Sequence, residues 1–136
     1  METAMGLQGA RVLIVEDEPI ISALLDDMIS ELGAHVVQAA GTLAEAQQAA
    51  RCSELDAAVL DINLLGEMSY PAAEELNKRA IPFIFVTGFA AEPIPSVLAH
   101  VPVVSKPYTL SNIKAGLLAA TRRAPACDRR GQRQVR

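Results

Sequence analysis

The chain has 136 residues and a net charge of −4, and 51% of its residues are apolar. That length suits one hydrophobic core rather than two domains, and the composition predicts a packed globule rather than a disordered chain. No apolar run approaches the roughly 20 residues that span a bilayer. No signal-peptide pattern opens the chain, and its two cysteines lack metal-ligand spacing, so we expect a cytoplasmic protein that does not act at a membrane.

The charge is divided unevenly along the chain. Residues 1–121 have 15 acids and six bases, a balance of −9, whereas residues 122–136 have six arginines and one acid, a balance of +5. The final segment has almost no apolar side chains, which predicts a basic, flexible tail rather than part of the core. Nucleic-acid binding is the weaker interpretation of this tail because no aromatic residues are interleaved. We therefore predict a domain over residues 8–121 and a tail over residues 122–136.

The first part of the chain alternates between strand and helix patterns. The short apolar run Arg11–Val15 predicts a buried strand, and His35–Ala39 predicts a second strand. Between them, apolar residues recur at helical spacing over residues 19–33, with proline in the first turn and glycine at the end. A capping-box pattern of Thr42 and Glu45 then opens an alanine-rich helix.

Three further strands are predicted at Ala57–Leu60, Pro82–Thr87 and Val101–Ser105. A third helix is predicted from Pro71 to about Arg79, and apolar spacing from Leu110 predicts a last helix.

The order of elements is a strand and a helix repeated five times. Residues 92–100 are only weakly helical, because prolines at positions 93 and 95 confine any helix to the second half of this segment. Near-continuous apolar strands are typical of a parallel sheet covered on both faces. Right-handed crossovers then predict an α/β fold: a doubly wound, five-stranded parallel sheet of flavodoxin-like order 2-1-3-4-5, with helices on both faces.

Ligands of such sheets bind outside the carboxyl ends of the strands, where this chain concentrates polar residues. Close carboxylates repel one another by about 4 kcal/mol per pair at an effective dielectric constant of about 20, so we expect a cation to offset them. Oxygen ligands without histidine or cysteine favour Mg²⁺ over zinc. The residues at this edge are Glu16, Asp17 and Glu18 after the first strand, Asp61 after the third, Thr87 after the fourth, and Ser105 and Lys106 after the fifth.

These residue types also suit phosphoryl transfer. With Mg²⁺ bound, the Asp61 carboxylate could attack a phosphorus atom, and the Thr87 hydroxyl could donate to a phosphoryl oxygen. Lys106 could pair with the carboxylate before the reaction and with the phosphoryl group after it. Each residue alone has an ordinary structural explanation, since acids after a strand often favour a helix N-terminus. Their combination at the ends of four strands favours the chemical interpretation.

Over about residues 10–121, the chain resembles a receiver domain of a two-component response regulator. The resemblance is in the motifs VEDE, LDINL, FVTGF and SKPY, each at the end of the expected strand and in the expected order. It implies that Asp61 accepts a phosphoryl group from a histidine kinase or phosphotransfer protein. It also implies that Thr87 and Lys106 read the phosphorylated state, and that the Lys106–Pro107 peptide bond is cis.

The resemblance implies a Mg²⁺ site as well, formed by Glu16, Asp17 and Asp61 with the backbone carbonyl of Asn63. The stretch PFIFVTGF resembles a subgroup with a P-F-x-F-A-T-G-Y-like motif. That likeness makes Phe89 a candidate for signalling beside the site, with simple packing as the alternative.

Pro107 and Tyr108 are further candidates for the switch. Only 15 residues follow the last predicted helix, so we expect a stand-alone receiver without a DNA-binding domain. It would act on a downstream protein target, and a homodimer is left open.

Two departures from the family pattern support a second hypothesis. Leu65 stands four residues after Asp61, where many receivers have proline, and Val103 stands where many have an aromatic residue. A degenerate receiver that acts as a constitutive protein-binding module is therefore the alternative. An aspartyl-phosphate phosphatase is less favoured, because Asn63 stands where such enzymes place an acid and cannot transfer protons. For the same reason we expect slow self-hydrolysis of the acyl phosphate, which bulky Phe89 could slow further.

Overall fold

The computed structural model describes residues 7–88 and 94–123. The strands are β1 (Arg11–Val15), β2 (His35–Ala40), β3 (Ala57–Asp61), β4 (Asn63–Leu64), β5 (Glu67–Met68), β6 (Phe83–Thr87) and β7 (Val103–Ser105). The helices are α1 (Pro19–Glu31), α2 (Leu43–Cys52), α3 (Tyr70–Lys78) and α4 (Leu110–Arg123), with a 3₁₀ turn at Ser96–Leu98. No helix within the described ranges is long and apolar enough to cross a bilayer.

Five of the strands form one parallel sheet in the order β2-β1-β3-β6-β7. Counted by themselves, these five strands have the order 2-1-3-4-5, so the predicted flavodoxin-like α/β fold is confirmed. The order places the carboxyl ends of β1, β3, β6 and β7 along one edge of the sheet, where ligands of such folds bind.

Alternate residues of the central strands pack against opposite layers of helices. Leu60 and Phe85 belong to the core cluster that includes the buried alanines of α2 and α3. Val59 and Ile84 belong to the opposite cluster, with Leu25 of α1 and the apolar face of α4. Burial of each large side chain contributes about 1.5–3 kcal/mol, so β3 and β6 are held rigidly from both faces.

The edge strand β7 departs from the prediction. It begins at Val103 rather than Val101, and Val103 is 42% exposed. Pro102 has no backbone N–H to give to the ladder, although its carbonyl accepts a hydrogen bond from the Phe85 N–H at 3.0 Å. The two edge strands are thus less buried than the central ones, since β2 also has exposed residues at the other edge of the sheet.

The predicted capping box of α2 forms with one difference. Thr42 Oγ1 accepts a hydrogen bond from the Glu45 N–H at 3.2 Å, as the pattern requires. The Glu45 carboxylate accepts from the Gly41 N–H at 2.9 Å rather than from the Thr42 N–H. The helix start is therefore fixed by two side chains, as the pattern predicted.

The segment before β7 contains the 3₁₀ turn at Ser96–Leu98, in the half of the segment that the prolines leave available. Residues 89–93 lie outside the described residues, and Phe89 lies outside with them. At the other end of the domain, α4 continues to Arg123, two residues into the predicted tail. The remaining tail residues are outside the described part of the chain.

Candidate functional site

Three carboxylates converge where β1 and β3 end. Glu16 and Asp17 follow β1, and Asp61 is the last residue of β3, which pairs directly with β1. One carboxylate oxygen from each of these three side chains lies within 4.8 Å of the other two. Glu16 and Asp61 are 4% and 7% exposed, so their charges are largely removed from water.

Glu18 does not belong to this cluster, although the sequence pattern grouped it with the other two acids after β1. Glu18 is exposed, and the third carboxylate of the cluster belongs to Asp61. Glu18 contributes through its backbone, because its N–H donates to Glu16 Oε2 at 3.1 Å. Glu18 is the residue directly before α1, which begins at Pro19.

Lys106 lies opposite the carboxylates, at the end of β7. Its Nζ is 3.2 Å from Asp61 Oδ2 and 3.7 Å from Glu16 Oε1. Burial lowers the pKa of Lys106, but the charges of Asp61 and Glu16 outweigh that effect, and the pKa is raised above its usual value. The lysine therefore stays protonated and provides positive charge to the cluster.

The pKa of the Glu16 carboxyl is raised above its usual value. Burial raises the pKa of Glu16 most, the Glu18 N–H lowers it, the Asp61 charge raises it and Lys106 lowers it, with a net value of about 7. The site has three carboxylates and one lysine, so its negative charge exceeds its positive charge. This imbalance favours binding of a further cation.

A cleft of about 290 Å³ opens onto these groups. Thr87 ends β6 on one side of the cleft and is 6% exposed. Its carbonyl accepts a hydrogen bond from the Lys106 N–H at 2.8 Å, so the backbones of the two residues are joined. The cleft is lined by Asp17, Glu18, Asp61, Ile62, Asn63, Thr87, Gly88 and Lys106.

The loop after β3 forms a short hairpin, β4–β5, which the sequence patterns did not predict. The Asn63 N–H donates to Asp61 Oδ1 at 3.3 Å, and the Asn63 side chain accepts from the Gly66 N–H at 2.8 Å. Leu65 and Gly66 connect the strands with φ of 53° and 88°. Proline cannot adopt this φ, so the hairpin itself explains why position 65 departs from the family pattern.

The remaining switch candidates are Pro107 and Tyr108. The Lys106–Pro107 peptide bond is cis, as the resemblance implied. Tyr108 is buried at 8% exposure, and its ring packs in the core between the sheet and helices α1 and α4. Val103 lies exposed on β7 rather than beside the cleft.

Comparison with known proteins agrees with this architecture. Residues 12–117 match the response regulator receiver domain family. The chain belongs to this family. Receiver domains are phosphoacceptor modules of two-component signalling rather than catalytic enzymes, and that assignment now rests on fold, site and family together.

Individual relatives support the same conclusion. The chain is 38% identical to SdrG from Sphingomonas melonis, covering 88% of this chain and 98% of that structure, with a TM-score of 0.74. It is 27% identical to the receiver domain of PhyR from Erythrobacter litoralis, covering 90% and 97%, with a TM-score of 0.72. It is 31% identical over 124 residues to the transcriptional regulatory protein TcrA of Mycobacterium tuberculosis, covering 88% of this chain. The chain spans about half the length of the curated relatives it matches.

Proposed function

We propose that the chain is a single-domain response regulator whose Asp61 accepts a phosphoryl group from a histidine kinase or phosphotransfer protein. The observation that supports this best is the geometry of Asp61, which lies between two neighbouring carboxylates and the Lys106 ammonium at the mouth of a cleft. The likeness to SdrG, which this chain covers almost completely, supports the single-domain assignment.

The surroundings of Asp61 suit nucleophilic attack. Its Oδ1 accepts one hydrogen bond from the Asn63 N–H, and its Oδ2 accepts one from Lys106. Each carboxylate oxygen has a second lone pair that can form the new bond to phosphorus. As that bond forms, the P–N bond of the phosphohistidine donor breaks, and its electron pair returns to the imidazole nitrogen.

The donor set fits Mg²⁺. The cluster provides oxygen ligands from Glu16, Asp17 and Asp61, and the Asn63 carbonyl is the proposed fourth protein ligand. The pocket brings three carboxylates together with one lysine, so it holds more negative charge than Lys106 alone balances. A bound Mg²⁺ would supply positive charge to the phosphoryl oxygens and reduce their repulsion from these carboxylates.

After transfer, Lys106 would pair with the phosphoryl group, and Thr87 would donate a hydrogen bond to it. Since the Lys106 N–H is bonded to the Thr87 carbonyl, a shift of either residue affects both β6 and β7. Val97, in the 3₁₀ turn before β7, and Val103, in β7, are 55% and 42% exposed. We propose that this surface, with Phe89 and Pro107 near it in sequence, changes its affinity for a downstream protein target.

A relative shows that such domains have a distinct activated form. SdrG, 36% identical in this comparison, has been solved in a BeF₃-activated conformation. BeF₃ resembles a phosphoryl group in shape and charge, so a corresponding change is expected here when Asp61 is phosphorylated.

The first experiment is intact-protein mass spectrometry with acetyl phosphate and Mg²⁺. Wild-type protein should gain one phosphoryl group, and this gain should disappear in Asp61→Asn and in the presence of a chelator. Asp27→Asn, on the exposed face of α1, is the matched control and should be phosphorylated normally. A phosphoryl gain that persists in Asp61→Asn would contradict the proposal. Absence of both phosphorylation and Mg²⁺ binding in wild-type protein would favour the constitutive binding module.

A further inference from the structure

One side of helix α1 is exposed along its whole length. Ile20 is 81% exposed and Leu24 is 43% exposed, and both lie on the side of the helix that faces away from the core. At helical spacing the same stripe continues with Asp27 and Glu31, which are exposed acids. Neighbouring exposed apolar side chains with a polar border are typical of interaction surfaces, and we call these four residues the α1 face.

The α1 face is negatively charged and has no positive counterpart on its own helix. The sequence of α1 contains Asp26, Asp27 and Glu31 and no basic residue. None of the ion pairs in the described part of the chain includes an acid of α1. Contact between two copies through this face would place like charges together, which is unfavourable. Charge complementarity therefore favours a basic occupant over a second copy of the face.

A basic segment follows the domain in the same chain. Residues 124–136 lie outside the described part of the structure, and their sequence has one acid and four arginines: Arg129, Arg130, Arg133 and Arg136. Helices α1 and α4 each follow a strand of the parallel sheet and pack in the same core cluster, so both run back over one face of the sheet. Their last residues, Glu31 and Arg123, therefore lie at the same end of the domain.

The segment is long enough to follow α1 back towards the cleft. The 13 residues of α1 extend about 20 Å, since an α-helix rises about 1.5 Å per residue. An extended chain adds about 3.3 Å per residue, so residues 124–136 span up to about 43 Å. Covalent attachment to α4 also raises the effective concentration of the segment at the α1 face, to the millimolar range for short connections, so individually weak ion pairs are sufficient.

We propose that residues 124–136 dock on the α1 face of their own chain, with arginines beside Asp27 and Glu31 and the segment continuing towards Ile20. Docking requires neither a metal ion nor a phosphoryl group, so this inference goes beyond the proposed function and is independent of it. Ile20 is three residues after Asp17, which lines the cleft. A docked segment therefore shields apolar surface at the border of the cleft and reduces the net negative charge there.

The test is paramagnetic relaxation enhancement, measured by NMR on the full chain. Cys52→Ser, Cys127→Ser and Val135→Cys together leave one thiol, near the end of the segment, for a nitroxide label. We expect the label to weaken the amide signals of α1 near Ile20 and Leu24. Signals of α2 should be unchanged, because α2 packs on the opposite face of the sheet. Unweakened α1 signals would overturn the inference and leave the α1 face to a partner protein.

An exchange of charges tests whether ion pairs cause the docking. Asp27→Lys with Glu31→Lys should remove the signal loss in α1, and replacing the four arginines with glutamate in that variant should restore it. The exposed pair Glu67→Lys with Glu74→Lys is the matched control for two new lysines and should keep the signal loss. Dispersed amide signals report whether each variant is folded. Signal loss that persists in the variant with lysines on the α1 face contradicts the proposed ion pairs and overturns the inference.

A mixing experiment distinguishes docking within one chain from docking between two copies. Isotope-labelled protein without the nitroxide is mixed with unlabelled protein that carries it, so that only contacts between copies weaken the observed α1 signals. We expect no signal loss in the mixture. A loss equal to that within the nitroxide-labelled chain would mean that the segment binds α1 of a second copy, which overturns docking within the chain.

Discussion

Lys106 Nζ lies 3.2 Å from Asp61 Oδ2, although the two residues are 45 positions apart in the chain. They extend from β7 and β3, and β6 lies between these strands in the sheet. The lysine therefore reaches across a strand to the carboxylate that we propose as the phosphoacceptor. This places a fixed positive charge in the same pocket that a metal ion would occupy.

Lys106→Met should have two opposite effects, one on the stability of the metal-free protein and one on its affinity for Mg²⁺. Without metal, the variant should lose about 2 kcal/mol of unfolding free energy, because buried carboxylates remain without their partner. Its affinity for Mg²⁺ should rise about tenfold, since a competing cation is removed. Urea unfolding and calorimetry measure the two effects, with the exposed Lys114→Met as control. A joint fall in stability and in Mg²⁺ affinity would show that the lysine does not compete with the ion.

The raised pKa of Glu16 predicts how stability depends on pH in metal-free protein. The folded value is about 7 and the usual value is 4.5. Between these values the folded protein binds more protons than the unfolded chain, so the unfolding free energy falls as the pH rises, by up to about 3 kcal/mol. Urea unfolding at pH 5, 6 and 7 with a chelator should show this slope in wild-type protein and a flatter one in Glu16→Gln. The exposed Glu31→Gln should retain the wild-type slope, and an unchanged slope in Glu16→Gln would refute the assignment.

Leu65 predicts a stabilising substitution. It has a φ of 53° and is 72% exposed, so its side chain gains little from burial while its backbone is strained. Leu65→Asn should raise the unfolding free energy by about 1 kcal/mol, because Asn-Gly is the preferred pair for a two-residue hairpin with both φ positive. Leu65→Ala removes the side chain but keeps the strain, so it should give no gain. A similar gain in both variants would attribute the effect to loss of the exposed leucine instead.

The convergence of Asp61, Thr87 and Lys106 could be predicted from the sequence because it depends on few facts. Apolar runs locate the strands, parallel order brings their carboxyl ends to one edge, and the next residue in each case is polar. The metal-binding carboxylates were predicted as Glu16, Asp17 and Asp61, and these three side chains converge in the structure. Glu18, the third of the consecutive acids, is exposed and lies outside this group.

Other features depended on tertiary contacts that no local pattern shows. The hairpin after β3 lacks an Asn-Gly turn signal, and its strands are only two residues long. The burial of Tyr108 depends on packing between the sheet and two helices that are distant in sequence. Local sequence patterns predicted the strands and the residues of the site. The orientation of individual side chains depends instead on long-range packing.

Thr87 provides a prediction about phosphoryl transfer itself. It ends β6 at the cleft, and its hydroxyl is proposed to donate to a phosphoryl oxygen. Thr87→Val keeps the branched shape that suits a strand but lacks the donor. A hydrogen bond to a charged group is worth about 1.5–3 kcal/mol, so phosphorylation by acetyl phosphate should slow by about 10-fold to 100-fold. Mg²⁺ affinity should stay near the wild-type value, because the carboxylates are unchanged.

Thr87→Ser is the matched variant for this prediction, since it retains the hydroxyl and loses only a methyl group. Its phosphorylation rate, followed by the mass gain of the intact protein over time, should stay close to that of wild-type protein. Unfolding free energies of both variants would show whether either substitution disturbs the fold, because Thr87 is almost fully buried. If Thr87→Val reacts at the wild-type rate, the hydroxyl does not contact the phosphoryl group during transfer. If Thr87→Ser is as slow as Thr87→Val, the methyl group rather than the hydroxyl determines the rate, and the proposed hydrogen bond is wrong.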